Sequence, residues 1–201
     1  MTELSICIPC REHVHSEFAY DLSQLTAHLT REGITHKVHM RRGSMLPEQR
    51  SYLAQEAIDS GSSYILWLDS DMTFPDDIYT RLREQDKDII ACTYSTKDHI
   101  RGSVAFRENN GVAERLKYDY GEAVEVDAVG MGVMLTRTSV FSYLPKPWFQ
   151  FYWDYEREYY NGEDIYFCEQ AREAGYSIYV NFQDSDMIGH LGTHNYKLGH
   201  I

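Results

Sequence analysis

Two aspartates one residue apart, Asp69 and Asp71, end the run Tyr64-Ile-Leu-Trp-Leu-Asp-Ser-Asp-Met-Thr-Phe-Pro75. Ile65–Leu68 is uninterrupted apolar chain, so the run reads as a buried strand delivering two carboxylates at its carboxyl end. In open α/β sheets ligands bind just outside that end of the strands. Carboxylate oxygens there suit a hard divalent cation, Mn²⁺ or Mg²⁺, which shares its site with substrate phosphates. An unpaired carboxylate at the border of a core is costly unless something cationic meets it. The competing reading is that either Asp merely caps a turn. Asp76 and Asp77, after Pro75, read as first-turn charges of the next helix.

The flanking pattern supplies the elements that would hold this turn. Leu4–Pro9 reads as a first buried strand. Glu17–Arg31 carries Phe18, Leu22, Leu25 and Leu29 at helical spacing and stops at Gly33. A second strand is expected over His36–Met40. Pro47 opens a helix whose apolar face is Leu53, Ala54, Ala57 and Ile58, ending at Gly61. A fourth strand covers Ile89–Thr93. Alternating strand and helix predict an α/β domain with a mainly parallel sheet. Beyond residue 100 the pattern changes. Gly102–Arg107, Ala113–Tyr118 and Ala123–Val126 read as an antiparallel insertion with turns at Asn110-Gly111 and Tyr120-Gly121. Gly132–Thr136, a helix over Glu163–Ala174 and a strand over Ser177–Asn181 complete the chain. A single domain over 1–201 is expected, with residues 1–100 and 101–201 as unequal halves.

Bulk properties narrow the partners. The net charge of −12 carries no basic stripe, which argues against a nucleic-acid binder. A polyanionic substrate would need a cation to bridge it to so acidic a chain. No apolar stretch approaches the roughly 20 residues of a membrane span. The N-terminus does not read as a signal peptide, so a reducing cytoplasm is expected. Four cysteines (7, 10, 92 and 168) are too scattered for a disulfide framework, although Cys7 and Cys10 have C-x-x-C spacing.

Five segments in order resemble glycosyltransferases of the GT-A fold, in particular the family 2-like enzymes. Leu4-Ser-Ile-Cys-Ile-Pro9 is similar to their opening strand, and Leu68-Asp-Ser-Asp71 to their D-x-D element. Asp127-Ala-Val-Gly-Met-Gly-Val-Met-Leu-Thr-Arg137 resembles the glycine-containing segment beside the sugar. Asn161-Gly-Glu-Asp-Ile-Tyr-Phe-Cys168 resembles the E-D motif that starts an acceptor-side helix. Ile188-Gly-His-Leu-Gly192 resembles the late H-x-G element. After the first strand the chain departs from the usual Tyr-Asn type of segment and has Cys10-Arg11-Glu12.

The resemblance implies a Rossmann-like GT-A sheet and sugar transfer from a nucleotide diphosphate donor, a UDP-sugar foremost, to a hydroxyl of a carbohydrate or other acceptor. Asp69, Asp71 and His190 would be the metal set. Asp71 is the firmer ligand, and Asp69 faces either the ion or the donor's ribose or sugar. Imidazole tilts the set toward Mn²⁺ over Mg²⁺. Asp164 would be the base of an inverting reaction; alternatively Glu163 and Asp164 simply complement a helix start. Pro9, Arg11, Arg50, Asp69, Ser70, Gly130 and Gly132 would contact the donor. Arg50 is either a diphosphate partner or an exposed helix charge, and the two glycines serve either close approach to the sugar or a bulge. Trp153, Tyr155 and Glu163 are the acceptor candidates, because sugar C–H faces stack on aromatic rings, although aromatic runs are often core. His194 and His200 read as surface histidines. Two other functions stay open: a nucleotidyltransferase making nucleotide-sugars, disfavoured because residues 9–15 lack glycine, and a non-catalytic carbohydrate- or metal-binding module.

Overall fold

The computed structural model describes residues 2–97, 102–109, 112–117, 123–155, 158–192 and 195–197. The first half contains β1 (Leu4–Cys10), α1 (Ser16–Arg31), β2 (His36–Arg42), α2 (Leu46–Asp59), β3 (Tyr64–Leu68), β4 (Met72–Thr73), α3 (Ile78–Glu84) and β5 (Ile89–Ala91). Five short strands follow: β6 (Ala105–Asn109), β7 (Val112–Arg115), β8 (Val124–Val126), β9 (Ala128–Val129) and β10 (Val133–Arg137). The rest is β11 (Tyr152–Asp154), β12 (Tyr159–Asn161), α4 (Glu163–Glu173), β13 (Ile178–Val180), α5 (Phe182–Ser185), β14 (Gly189–Leu191) and β15 (Asn195–Lys197).

Seven strands form the main sheet in the order β2-β1-β3-β10-β5-β13-β8. β2, β1, β3, β5 and β13 run one way, and β10 and β8 run against them. Alternation along β3 divides the core between the two faces. Ile65 and Trp67 pack with Leu53, Ala54 and Ala57 of α2 and with Phe167, Cys168 and Ala171 of α4. Tyr64, Leu66 and Leu68 pack on the other face with Phe18, Leu25 and Leu29 of α1 and Leu82 of α3. β2 closes one edge with His, Lys and Arg side chains, which blunt an otherwise exposed strand. Among the described residues no helix is long and apolar enough to cross a membrane.

Two expectations need correction. Val124–Val126 does not join the antiparallel insertion. β8 pairs with β13 at the edge of the main sheet, and β9 takes the place beside β6, with Ala105 opposite Val129 and Phe106 opposite Ala128. The chain changes sheets at Asp127, whose N–H still donates to the Phe106 carbonyl. Val126 is thereby buried in the main core while Ala128 and Val129 close the small sheet. The expected turns at Asn110-Gly111 and Tyr120-Gly121 lie outside the described residues.

Nor do Asp76 and Asp77 occupy a first helical turn. The Ile78 N–H donates to the Pro75 carbonyl in a turn, and α3 begins at Ile78. Asp77 instead accepts from Arg81 Nε at 2.8 Å, and Asp76 lies 3.6 Å from Arg31. All four cysteines are free and buried. Cys7 faces the Leu53 carbonyl and Cys10 the Arg41 carbonyl, so the C-x-x-C spacing makes no disulfide.

Candidate active site

The turn after β3 is fixed by its backbone. The Asp69 N–H donates to the Gly132 carbonyl at 2.9 Å, and the Met72 N–H returns to the Asp69 carbonyl at 3.1 Å. β14 then pairs with β4, placing His190 opposite Met72, and the Leu191 N–H donates to the Asp71 carbonyl at 2.7 Å. A histidine 119 positions downstream in the sequence thus reaches the aspartate: His190 Nε2 lies 3.7 Å from Asp71 Oδ2. His190 Nδ1 donates to the Ser95 carbonyl at 2.9 Å, so Nε2 is the ring nitrogen that faces Asp71. Lys97 also pairs with Asp71 Oδ2. Burial alone would raise the Asp71 carboxyl, but His190 and Lys97 outweigh it and hold it at about 2.

Beneath this turn lies Arg50, in the second turn of α2 and 1% exposed. Its Nη2 donates to Asp69 Oδ1 at 2.8 Å and its Nε to Glu163 Oε1 at 3.0 Å. An exposed helix charge is therefore excluded. Arg50 is a buried strut joining α2, the end of β3 and the start of α4. Burial would lower its affinity for the proton, but the two carboxylates hold it firmly charged. Burial raises the Asp69 carboxyl despite Arg50, and the charges of Asp71 and Glu163 add to that rise.

The same strut sets Asp164. α4 starts at Glu163, directly after Gly162, and Asp164 Oδ1 accepts the Ile165 N–H at 2.9 Å. A Cβ on Gly162 would lie 2.4 Å from that oxygen, so the carboxylate folds over a position only glycine leaves clear. Burial, then the neighbouring Glu163 charge, raises the Asp164 carboxyl to about 6. A carboxylate titrating near neutrality suits proton abstraction. The charges of Arg50 and Asp69 act on it as well, so it belongs to the same electrostatic cluster.

One member of this cluster escaped the sequence reading. Tyr94 is buried, packs edge-on against His190 with ring centroids 5.1 Å apart, and accepts the Gly132 N–H at 3.1 Å. A Cβ on Gly130 would come within 2.6 Å of its hydroxyl, and one on Gly132 within 2.8 Å of its ring. The space left by the two glycines is thus filled by Tyr94. Burial, with the nearby Asp69 and Asp164, keeps its hydroxyl protonated. The glycines one residue apart were the available signal that a ring lies opposite them.

Above the strand ends opens a cleft of about 330 Å³ that brings together Pro9, Arg11, His13, His15, Gln49, Asp69, Ser70 and Asp71. It runs along the carboxyl ends of β2, β1 and β3, where Gly43 and Ser44 close its far side. Gln49, His13 and His15 had no distinguishing sequence signal.

The aromatic run before α4 divides. Trp148 and Phe149 are core, packed with Phe141, Trp67 and Phe167. Trp153 on β11 stands opposite Tyr160 on β12 with ring centroids 4.9 Å apart, and both rings are exposed. Tyr155 is 86% exposed in the following turn. Glu163 is buried against Arg50, where it positions the start of α4. A second cleft of about 340 Å³ is lined by Tyr159, Tyr160, Asn161, Gly162, Asp127 and Arg172 among others, and reaches the residues just before Asp164. His194 and His200 lie outside the described residues.

Among the described residues no three His, Cys, Asp or Glu side chains converge on one point as a closed metal site. Asp71, in the turn before β4, and His190, on β14, bring a carboxylate and an imidazole together, and Asp69 commits Oδ1 to Arg50. This donor set fits a hard cation that completes its shell with water and substrate phosphate oxygens.

No family model matches the sequence, nor does any curated protein. Solved structures do. A197 from STIV superimposes with a TM-score of 0.64 at 17% identity, over 96% of this chain and 86% of that one. A Drosophila β-1,4-galactosyltransferase 7 mutant, in complex with manganese, UDP-Gal and xylobiose, superimposes with a TM-score of 0.52 at 16% identity, over 96% of this chain and 71% of that one. With its mixed sheet, its helices on both faces and its aspartate turn after β3, the chain has the GT-A fold.

Proposed function

We propose that the chain is a metal-dependent glycosyltransferase that moves a sugar from a nucleotide diphosphate donor, foremost a UDP-sugar, to an acceptor hydroxyl with inversion. The observation that carries this reading is the Arg50 strut, which ties the aspartate turn to the helix start bearing Asp164. One buried guanidinium thereby joins a cation-binding edge to a carboxylate that titrates near neutrality. The galactosyltransferase complex with manganese and UDP-Gal on a like fold supports the same choice.

In this mechanism Asp71 and His190 would hold Mn²⁺, with Mg²⁺ as substitute, and Asp69 would face either the ion or the donor's sugar or ribose. The metal, when bound, neutralises the charge that develops on the leaving diphosphate. Pro9, Arg11 and Ser70 line the cleft that receives the nucleotide. Arg50 keeps Asp69 and Glu163 in place from below. Asp164 Oδ1 is held by the Ile165 N–H, so its other oxygen takes the acceptor proton. The acceptor oxygen forms the new bond to the anomeric carbon as the bond to the diphosphate breaks on the opposite face, which inverts that carbon. Trp153 and Tyr160 offer the acceptor sugar two ring faces, with Tyr155 at the rim.

Incubation with a panel of UDP- and GDP-sugars plus Mn²⁺ should release nucleoside diphosphate from at least one, faster when sugar acceptors are added. No release from any donor, with or without acceptors, would remove transfer from the account.

A further inference from the structure

Asp71 receives side chains from two different segments. His190 arrives from β14, and Lys97 arrives from the segment after β5. Both meet the same oxygen, Oδ2. The side chains of Lys97 and Asp71 are 34% and 32% exposed, so this pair opens onto solvent. The surrounding charge explains why a cation is needed there. Asp69, Asp71, Glu163 and Asp164 place four carboxyl groups in one cluster, and Arg50 is its buried cation. Arg50 binds Asp69 and Glu163, which leaves Asp71 to Lys97.

We propose that Lys97 is a displaceable competitor at the cation position: its ammonium pairs with Asp71 and gives way when a divalent ion binds there. This rests on the metal-site reading above. An ammonium and a divalent cation compete for one carboxylate oxygen, because at contact distance the two positive charges repel. Lys suits the exchange. It is a compact point charge on a flexible four-carbon stem and can swing aside, whereas the forked, buried Arg50 cannot. The consequence is that Mn²⁺ binds more weakly than Asp71 and His190 alone would allow, and that Asp71 keeps a counter-charge without the ion.

The test is a Mn²⁺ titration of the full chain, followed by the electron paramagnetic resonance signal of free Mn²⁺, with no donor present. Lys97→Met should bind Mn²⁺ about three- to tenfold more tightly than the parent, the range expected for removing one exposed ion-pair competitor and its like charge. Lys97→Arg should restore weak binding. Equal or weaker binding by Lys97→Met, while the parent binds Mn²⁺, overturns the displacement and leaves the metal site standing. No Mn²⁺ binding by either protein removes the metal site and the displacement together. Lys97 is partly exposed, so melting curves of both variants close to the parent's are expected and separate this effect from misfolding.

Discussion

Arg50 Nε donates to Glu163 Oε1 at 3.0 Å across 113 positions of sequence, joining the second turn of α2 to the first residue of α4. The same guanidinium grips Asp69, so three elements that meet at the carboxyl edge of the sheet share one buried ion triad. Removing the cation leaves two carboxylates facing each other without a counter-charge. Arg50→Met should destabilise the fold by about 3–5 kcal/mol, read from the shift in a urea midpoint at constant slope. A loss under about 1 kcal/mol would show that the triad is not a structural strut.

Asp164→Asn tests the base separately from the donor site. The variant should keep nucleotide affinity and lose transfer by about 10²–10⁴-fold. Transfer at the parental rate would take Asp164 out of the mechanism.

The pH profile follows from the same residue. Asp164 titrates at about 6, raised by burial and by Glu163. Only the deprotonated form accepts the acceptor's proton. The transfer rate should therefore rise with pH, tenfold per unit below about 6, and level off above it. Asp71, held at about 2, stays ionised throughout that window and contributes no limb of its own. A rate independent of pH between 5 and 7 would contradict the assignment, whereas Asp164→Asn should show just that flat profile at its residual rate.

The two glycines against Tyr94 give a prediction about shape alone. Gly130→Ala and Gly132→Ala each push a methyl into a packed ring, at a cost of about 1–3 kcal/mol. Tyr94→Phe deletes the hydroxyl that a Gly130 methyl meets at 2.6 Å, leaving Val104 Cγ2 at 2.8 Å, but keeps the ring atoms that a Gly132 methyl meets at 2.8 Å. The Phe substitution should therefore partly rescue Gly130→Ala and leave Gly132→Ala unrescued, as measured by thermal denaturation of the double variants. Equal rescue of both would place the clash elsewhere.

Several of these relationships were visible in the sequence, and the reason is local. The strand before Asp69 was visible because an unbroken apolar run stops there, and β3 indeed ends at Leu68. α2 announces itself by Pro47 in its first turn. The exchange of β8 and β9 was not visible, because Val124–Val126 and Ala128–Val129 are equally short and apolar, and only distant partners decide which sheet each joins. The burial of Arg50 was hidden for the same reason. A charged helix residue reads as exposed until its partners at 69 and 163 are brought beside it. Tyr94 is one tyrosine among sixteen, and its role depends on glycines 36 and 38 positions away. His190 and Asp164 were placed by motif, and the β4–β14 pairing and the start of α4 supply the physical reason they lie near the aspartate turn.

A metal-bridged nucleotide site is proposed on the Asp69–Asp71 turn. Thermal denaturation with UDP at millimolar concentration, with and without Mn²⁺, tests it most directly on the parent and on Asp71→Asn. Binding at a hundredfold excess over Kd contributes about 2.7 kcal/mol, a shift of about 5–10 °C for a chain of this size. The account predicts that UDP raises the melting temperature of the parent only when Mn²⁺ is present, and that Asp71→Asn abolishes the shift. An equal shift without metal, or one retained in Asp71→Asn, would contradict it.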